Sequence, residues 1–70
     1  MNKDIFQGKW LQIRGEMKKW WGDMTDDELD KIDGDRDKFI GLLQEKYGYA
    51  RERAEQEMDR HLDAYERAAR

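Results

Sequence analysis

The stretch Trp20-Trp21-Gly22-Asp23-Met24-Thr25-Asp26-Asp27-Glu28 decides how this 70-residue chain folds. It has the features of a helix end, a tight turn and a new helix start. Gly22 is expected to end the first helix, because glycine takes the left-handed conformation of a C-cap without a side-chain clash. Thr25 and Glu28 stand at the spacing of a capping box, and acidic residues fill the first turn that follows. The sequence therefore predicts a break between Gly22 and Thr25.

Apolar residues before this turn recur at steps of three and four, which is the period of one face of an α-helix. They are Phe6, Trp10, Ile13, Met17 and either Trp20 or Trp21. We expect this first helix to begin at Asp4, with Gln7 completing a capping box. Gly15 lies inside the helix, where glycine costs about 1 kcal/mol relative to alanine. Since such a cost suggests a close contact, we predict that another backbone approaches Gly15.

The same periodicity predicts three more helices after the turn. Leu29 and Ile32 anchor a short second helix, and either Asp33 or Asp35 caps the third, which ends at Gly48. The apolar face of the fourth helix comprises Ala50, Ala54, Met58, Leu62, Tyr65 and Ala69. Two helical hairpins packed across each other are the natural architecture for such a chain. The expected core is Trp10, Met17, Trp21, Leu29, Ile32, Phe39, Leu43, Met58 and Leu62.

Composition limits the possible classes of protein. Charged residues make up 44% of the chain and the mean hydropathy is -1.28, but three Trp, three Tyr and two Phe favour a compact fold over disorder. The net charge of -3 and the pI near 5.1 disfavour a dedicated nucleic-acid or anionic-membrane binder. The N-terminus lacks the apolar stretch of a signal peptide, and no run is long enough to span a membrane. We expect a single monomeric domain spanning residues 1–70, soluble in the cytoplasm.

Two motifs that carry chemistry in other proteins are incomplete here. Asp33, Asp35 and Asp37 have the spacing of the first EF-hand ligands, but Lys38 and Gln44 occupy the positions that need glycine and glutamate. The single histidine, His61, has no cysteine or second histidine with which to hold zinc. The chain also has no Ser or Cys nucleophile. We expect no metal, no cofactor and no enzymatic activity.

Spaced glycine and aromatic residues form a pattern over most of the chain. They are Gly8-Lys9-Trp10, Gly15, Trp21-Gly22, Thr25-Asp26-Asp27, Gly34, Arg36-Asp37, Gly41 and Tyr47-Gly48-Tyr49. From Met1 to about Glu57 this pattern resembles the CsbD-like family of small bacterial stress-response proteins. The resemblance implies an all-α, four-helix array of two orthogonally packed hairpins, similar to SAM domains. It also implies an abundant cytoplasmic protein with no established activity and no catalytic residues. The chain departs from the pattern at Trp20 and after Met58.

Trp20 and Trp21 are adjacent and therefore project about 100° apart on a helix, so both cannot point into the core. The matched family position favours Trp21 as the core residue. Trp20 then either packs at the rim, against Met24 and the fourth helix, or forms an exposed anchor for a partner. The candidate interaction residues are Lys18, Lys19, Trp20 and Met24.

Three functions are consistent with these observations. The first is a non-enzymatic stress protein that acts in bulk through its abundance and charged surface, and the resemblance favours it. The second is a module that docks an unknown protein partner through Trp20 and the 20–28 turn. The third, and the least expected for an acidic chain, is weak nucleic-acid binding through Lys9, Arg14, Lys18 and Lys19.

Overall fold

The computed structural model describes residues 2–68, which form five α-helices and no strand. The helices are α1 (Lys3–Gly8), α2 (Trp10–Trp20), α3 (Asp26–Ile32), α4 (Arg36–Tyr47) and α5 (Arg51–Ala68). The prediction of an all-α fold is confirmed. There are five helices instead of four because the first predicted helix is interrupted at Lys9.

The junction between α1 and α2 is a bend in an otherwise continuous helical path. Lys9 has φ -102° and ψ 7°, outside the helical region. Its amide still donates to the Ile5 carbonyl at 3.0 Å, and its carbonyl accepts from the Ile13 amide at 3.0 Å. The predicted start at Asp4 is wrong, because the side chain of Asn2 caps α1 by accepting from the Ile5 amide at 2.9 Å. Asp4 instead lies in the first turn, where its charge favours the positive end of the helix.

The turn between α2 and α3 is where the sequence predicted it, with one difference in the helix end. The helix stops at Trp20, and Trp21 is the C-cap residue with φ -126°. The predicted left-handed cap at Gly22 is wrong, since Gly22 does not have a positive φ. The capping box is confirmed: Thr25 Oγ1 accepts from the Glu28 amide at 3.2 Å, and Glu28 Oε1 accepts from the Thr25 amide at 3.0 Å.

The predicted ends of α4 are also confirmed, whereas Ala69, predicted on the face of the last helix, lies outside the described residues. Of the two candidate caps for α4, Asp35 is the one used, and its carboxylate accepts from the Asp37 amide at 3.0 Å and the Lys38 amide at 3.2 Å. Asp33 ends α3 in the left-handed conformation, with φ 48°. Gly48 ends α4 with φ 69°. Short-range cap chemistry therefore fixes both ends of α4.

A close backbone approach occurs at Gly34 and not at Gly15. No atom lies within 4 Å of the position that a Cβ on Gly15 would occupy, so the predicted contact there is wrong. A Cβ on Gly34 would lie 3.3 Å from Trp10 Cβ and 3.4 Å from Gln7 Cα. The α3–α4 turn thus packs directly onto the bend between α1 and α2.

Helix α4 is central, since it contacts α1, α3 and α5. Within residues 2–68 the buried side chains are all apolar, and every predicted core residue is among them. The core comprises Phe6, Trp10, Ile13, Met17, Trp21, Met24, Leu29, Ile32, Phe39, Ile40, Leu43, Ala54, Met58 and Leu62. The ring of Phe39 lies 5.5 Å from that of Trp21, 6.1 Å from Phe6 and 6.3 Å from Trp10. These contacts join α1 and both ends of α2 to the N-terminal part of α4.

Candidate interaction surface

Trp20, the last residue of α2, packs against the C-terminal half of α5. Its indole stacks on the ring of His61, with centroids 5.0 Å apart and planes 17° apart. The ring of Tyr65 meets it edge-on at 6.4 Å. Trp20 is only partly buried by these contacts. Of the two alternatives left open by the sequence, the structure shows packing at the rim against the last helix.

Trp21 is the core tryptophan, as predicted, with 4% of its surface exposed. It meets Phe39 edge-on at 5.5 Å and His61 edge-on at 5.0 Å. The imidazole of His61 therefore contacts both indoles and packs α5 against the end of α2. Sequence reasoning missed this role, because no local pattern relates His61 to residues so far away in the chain.

Met24 lies in the core rather than on the surface, with 2% of its surface exposed. The backbone explains this placement: the Met24 amide donates to the Trp21 carbonyl at 3.1 Å, which curls the turn inward. A partner docked on this turn would therefore meet Lys18, Lys19 and the exposed edge of Trp20, but not Met24.

The candidate cations lie on the surface and are paired with acids. Lys18 Nζ lies 2.9 Å from Asp26 Oδ1, and Lys19 Nζ lies 3.6 Å from Glu16 Oε1. The hydrogen bond from Lys18 holds the pKa of Asp26 below its usual value of 3.8. The Lys18 and Lys19 side chains remain 49% and 75% exposed. Both stay accessible, with their charges partly compensated.

Lys46 and Tyr47 of α4 hold the turn in place. Lys46 Nζ lies 2.6 Å from Glu28 Oε1 and donates to the Asp23 carbonyl at 2.5 Å. The Tyr47 hydroxyl accepts from the Asp23 amide at 3.3 Å. The pKa of Glu28 is lowered from its usual 4.5, mainly by the hydrogen bond from Lys46 and next by the hydrogen bond from the Thr25 amide. The 20–28 turn is thus pinned to α4 through both its backbone and its capping glutamate.

A shallow groove of about 510 Å³ runs between α3 and α4. It is lined by Glu28, Lys31, Ile32, Lys38, Gly41, Leu42 and Glu45. Its walls mix both signs of charge and so do not select one class of ionic ligand.

The described part of the chain contains no group of three His, Cys, Asp or Glu side chains that could hold a metal ion. Asp35 caps α4, and Asp37 pairs with Arg51 at 3.1 Å.

The fold defines the class of this protein as a small all-α domain with an apolar core and a densely charged surface. No helix within residues 2–68 combines the length and the apolar character that are needed to cross a membrane. The sequence model of the CsbD-like family matches residues 4–56, and the chain belongs to this family.

Several bacterial proteins are similar to this chain along most of its length. A UPF0337 protein of Pseudomonas aeruginosa is 52% identical over 58 residues, which cover 83% of this chain and 89% of that protein. The UPF0337 protein YjbJ of Escherichia coli is 48% identical over 59 residues, covering 84% of this chain and 86% of that protein. A UPF0337 protein of Bordetella pertussis is 44% identical over 63 residues, which cover 90% of this chain and 96% of that protein. No solved structure matches the chain.

Proposed function

We propose that this protein is a non-enzymatic stress-response protein that acts in bulk, as an abundant soluble protectant of the cytoplasm. It belongs to a stress-response family whose molecular activity is unknown. The observation that carries the proposal is the division of the molecule into a wholly apolar core and a charged shell. Charged residues make up 44% of the sequence, and within residues 2–68 none of them is buried.

The charged shell supports this proposal through its hydration and its balance of signs. Positive and negative side chains form short ion pairs on the surface, such as Arg14–Asp30 at 2.7 Å and Arg60–Glu57 at 2.8 Å. A surface with both signs interspersed and a net charge of -3 favours solubility at high concentration. Weak contacts between such a surface and other macromolecules increase in proportion to the concentration of this protein, and they need no specific partner.

We further propose that residues 1–70 form one domain of the SAM-like, two-hairpin type. In that arrangement α2 and α3 form one hairpin and α4 and α5 form the other, with α1 added at the N-terminus. The extensive contact between α4 and α5 supports the second hairpin, and the contacts of α4 with α1 and α3 support the crossing of the two.

The experiment is protection of a labile enzyme during drying or heating. We expect protection to rise with the mass of added protein, without saturating at one molecule per enzyme molecule. The variant Lys18→Glu/Lys19→Glu should protect as well as the wild type, because it alters the candidate docking surface and leaves the core unchanged. An unrelated helical protein of similar size is the control. Equal protection by that control, or saturation at a one-to-one ratio, would contradict the proposal.

Docking of one protein partner is a second candidate function. It is favoured by the exposure of Lys18 and Lys19 next to the free edge of Trp20. Trp20→Glu is unsuitable as its test, because it would also remove packing against His61 and Tyr65. A pull-down from stressed cells should therefore compare the wild type with Lys18→Glu/Lys19→Glu. One polypeptide retained by the wild type and lost by the variant would favour docking over bulk action.

Nucleic-acid binding receives less support from the geometry than the other two functions. Three of the four cations that would carry it are paired with acids: Arg14 with Asp30, Lys18 with Asp26 and Lys19 with Glu16. Phosphate contacts would have to displace each of these carboxylates. We therefore do not include nucleic acid in the proposed function.

A further inference from the structure

The side chain of His61 on α5 contacts both indoles at the end of α2. Its imidazole stacks on Trp20, with centroids 5.0 Å apart and planes 17° apart, and it meets Trp21 edge-on at 5.0 Å. Histidine is the type of side chain that ordinarily changes its charge between about pH 5 and pH 8. A packing contact between two helices is therefore made by an ionisable ring.

Protonation would change the strength of the contact with Trp20. The face of an indole carries partial negative charge, and it attracts a cation that lies within about 6 Å of the ring centroid. The stacked imidazole already lies within this distance, so the protonated ring needs no rearrangement of α5. His61 is only partly buried, and partial burial opposes the charged form less than full burial would. The stacking should therefore be stronger with the protonated ring than with the neutral ring.

The charged groups on the elements that pack around His61 form ion pairs with other residues. These pairs are Glu57–Arg60 and Arg36–Asp59 on α5 and its contact with α4, Lys18–Asp26 and Lys19–Glu16 at the end of α2, and Lys46–Glu28 on α4. None of the ion pairs within residues 2–68 includes His61. Glu57 lies one turn before His61 on α5, and its carboxylate would also favour the protonated ring. A test must therefore separate the effect of Glu57 from that of Trp20.

We propose that His61 makes the packing of α5 against α2 sensitive to pH, with the protonated ring holding the two helices together more tightly in mild acid. The unfolded chain offers the ring no indole face, so the folded chain holds the proton more tightly. The added stability is present at the acidic end of the histidine range and is lost as the pH rises through that range. The proposal does not depend on the protectant function.

Thermal unfolding between about pH 8 and about pH 5.5 tests the proposal, because carboxylates ordinarily stay ionised in this range. His61→Phe is the matched variant, since it retains an aromatic ring next to Trp20 but takes up no proton. From the upper to the lower pH, the melting temperature of the wild type should rise by about 2–8 °C relative to that of His61→Phe. Parallel curves for the two proteins, or a relative fall for the wild type, would overturn the proposal.

Two further variants assign the effect to the indole. Trp20→Leu retains an apolar side chain but removes the indole face, and it should lose most of the rise that the wild type shows in mild acid. Glu57→Gln removes the neighbouring carboxylate on α5 and should retain that rise. The reverse pattern would assign the pH dependence to Glu57 and contradict the role of the stacked rings.

An NMR titration of the wild type needs no variant to fold. His61 is the only histidine in the sequence, so its imidazole signals can be assigned without ambiguity. The signals of the Trp20 indole should move with the same midpoint as those of the imidazole. Indole signals that stay constant while the imidazole titrates would show that protonation does not act on the stacked pair.

Discussion

At Gly34 the backbone has φ 81° and a Cβ added there would lie 3.3 Å from Trp10 at the α1–α2 bend, whereas Gly15 lies in a regular helix with open space above it. The same substitution should therefore have opposite effects at the two positions. Gly15→Ala should raise the free energy of unfolding by up to about 1 kcal/mol through helix propensity. Gly34→Ala should lower it by about 1–3 kcal/mol, because alanine is strained at positive φ and would crowd Trp10. Urea denaturation at low protein concentration measures both, and a stabilising Gly34→Ala would contradict this account of the turn.

The stability of the fold should depend on the protonation of Glu28 at acidic pH. Its pKa in the folded protein is below the usual 4.5, mainly because Lys46 donates to it. The unfolded chain therefore holds this proton more tightly, so the stabilisation is fully present above pH 4.5 and is lost as the pH falls through the folded-state value. Glu28→Gln should lower stability at neutral pH and make its decline in acid shallower. Denaturation at a series of pH values measures this.

The control for Glu28 is Glu52→Gln, which changes an exposed glutamate in the first turn of α5. It should leave the acid dependence close to that of the wild type. An NMR titration of the Glu28 carboxyl in Lys46→Met should show the pKa moving upward. An acid dependence that is the same in Glu28→Gln and in the wild type would contradict the assigned role of Lys46.

Residue-scale features could be predicted from sequence where their partners lie within four positions. The pairing of Thr25 with Glu28, a cap at Asp33 or Asp35 and the left-handed Gly48 were predicted on that basis. The equally local predictions of a helix start at Asp4 and a left-handed cap at Gly22 were wrong. The contacts of Lys46 with Glu28 and of His61 with Trp20 were not, because the fold alone brings these residues together. Capping contacts between near neighbours can therefore be proposed from the sequence, but the long-range contacts that hold the turn cannot.

At the scale of the helices, the end of α2 and the second half of α5 should depend on each other. Trp20→Ala removes a partly buried indole that stacks on His61, and we expect a loss of about 1–3 kcal/mol, less than for a fully buried tryptophan. Hydrogen exchange should accelerate chiefly around residues 58–66. Leu11→Ala is the control, since an 82% exposed side chain should contribute within about 0.5 kcal/mol. Unchanged exchange in α5 would show that the stacking does not anchor it.

The bend at Lys9 shows why the number of helices was wrong although their positions were right. The apolar period runs through Phe6, Trp10 and Ile13 without interruption, and all three are buried on one side. Neither proline nor a capping side chain marks the bend, and helical hydrogen bonds cross it. It coincides with the place where Gly34 packs against the helix. Gly8 directly precedes the bend and weakens the helix there, but Gly15 lies inside α2 without a bend, so glycine alone does not mark the position.

At the scale of the molecule, periodicity was sufficient to identify the core but not the surroundings of the candidate interaction residues. Every residue predicted to form the bulk of the core is buried, because helical period and burial are directly linked. The candidate surface depended on which way Trp20 turns, and adjacent residues on a helix leave that choice open. Its packing against the last helix was one of two alternatives from the sequence, and the folded chain shows that contact.

The family match ends at residue 56, but the folding unit extends further along α5. Met58 and Leu62 lie beyond the match and have no exposed surface. Fully burying each contributes about 1.5–3 kcal/mol, and the two together are comparable to the net stability of about 3–5 kcal/mol expected for so small a core. A chain ending at Gln56 should therefore be largely unfolded by circular dichroism, without a cooperative thermal transition. A chain ending at Glu66 keeps both residues and Tyr65, and it should melt cooperatively. Similar melting of the two truncated chains would show that the matched region folds by itself.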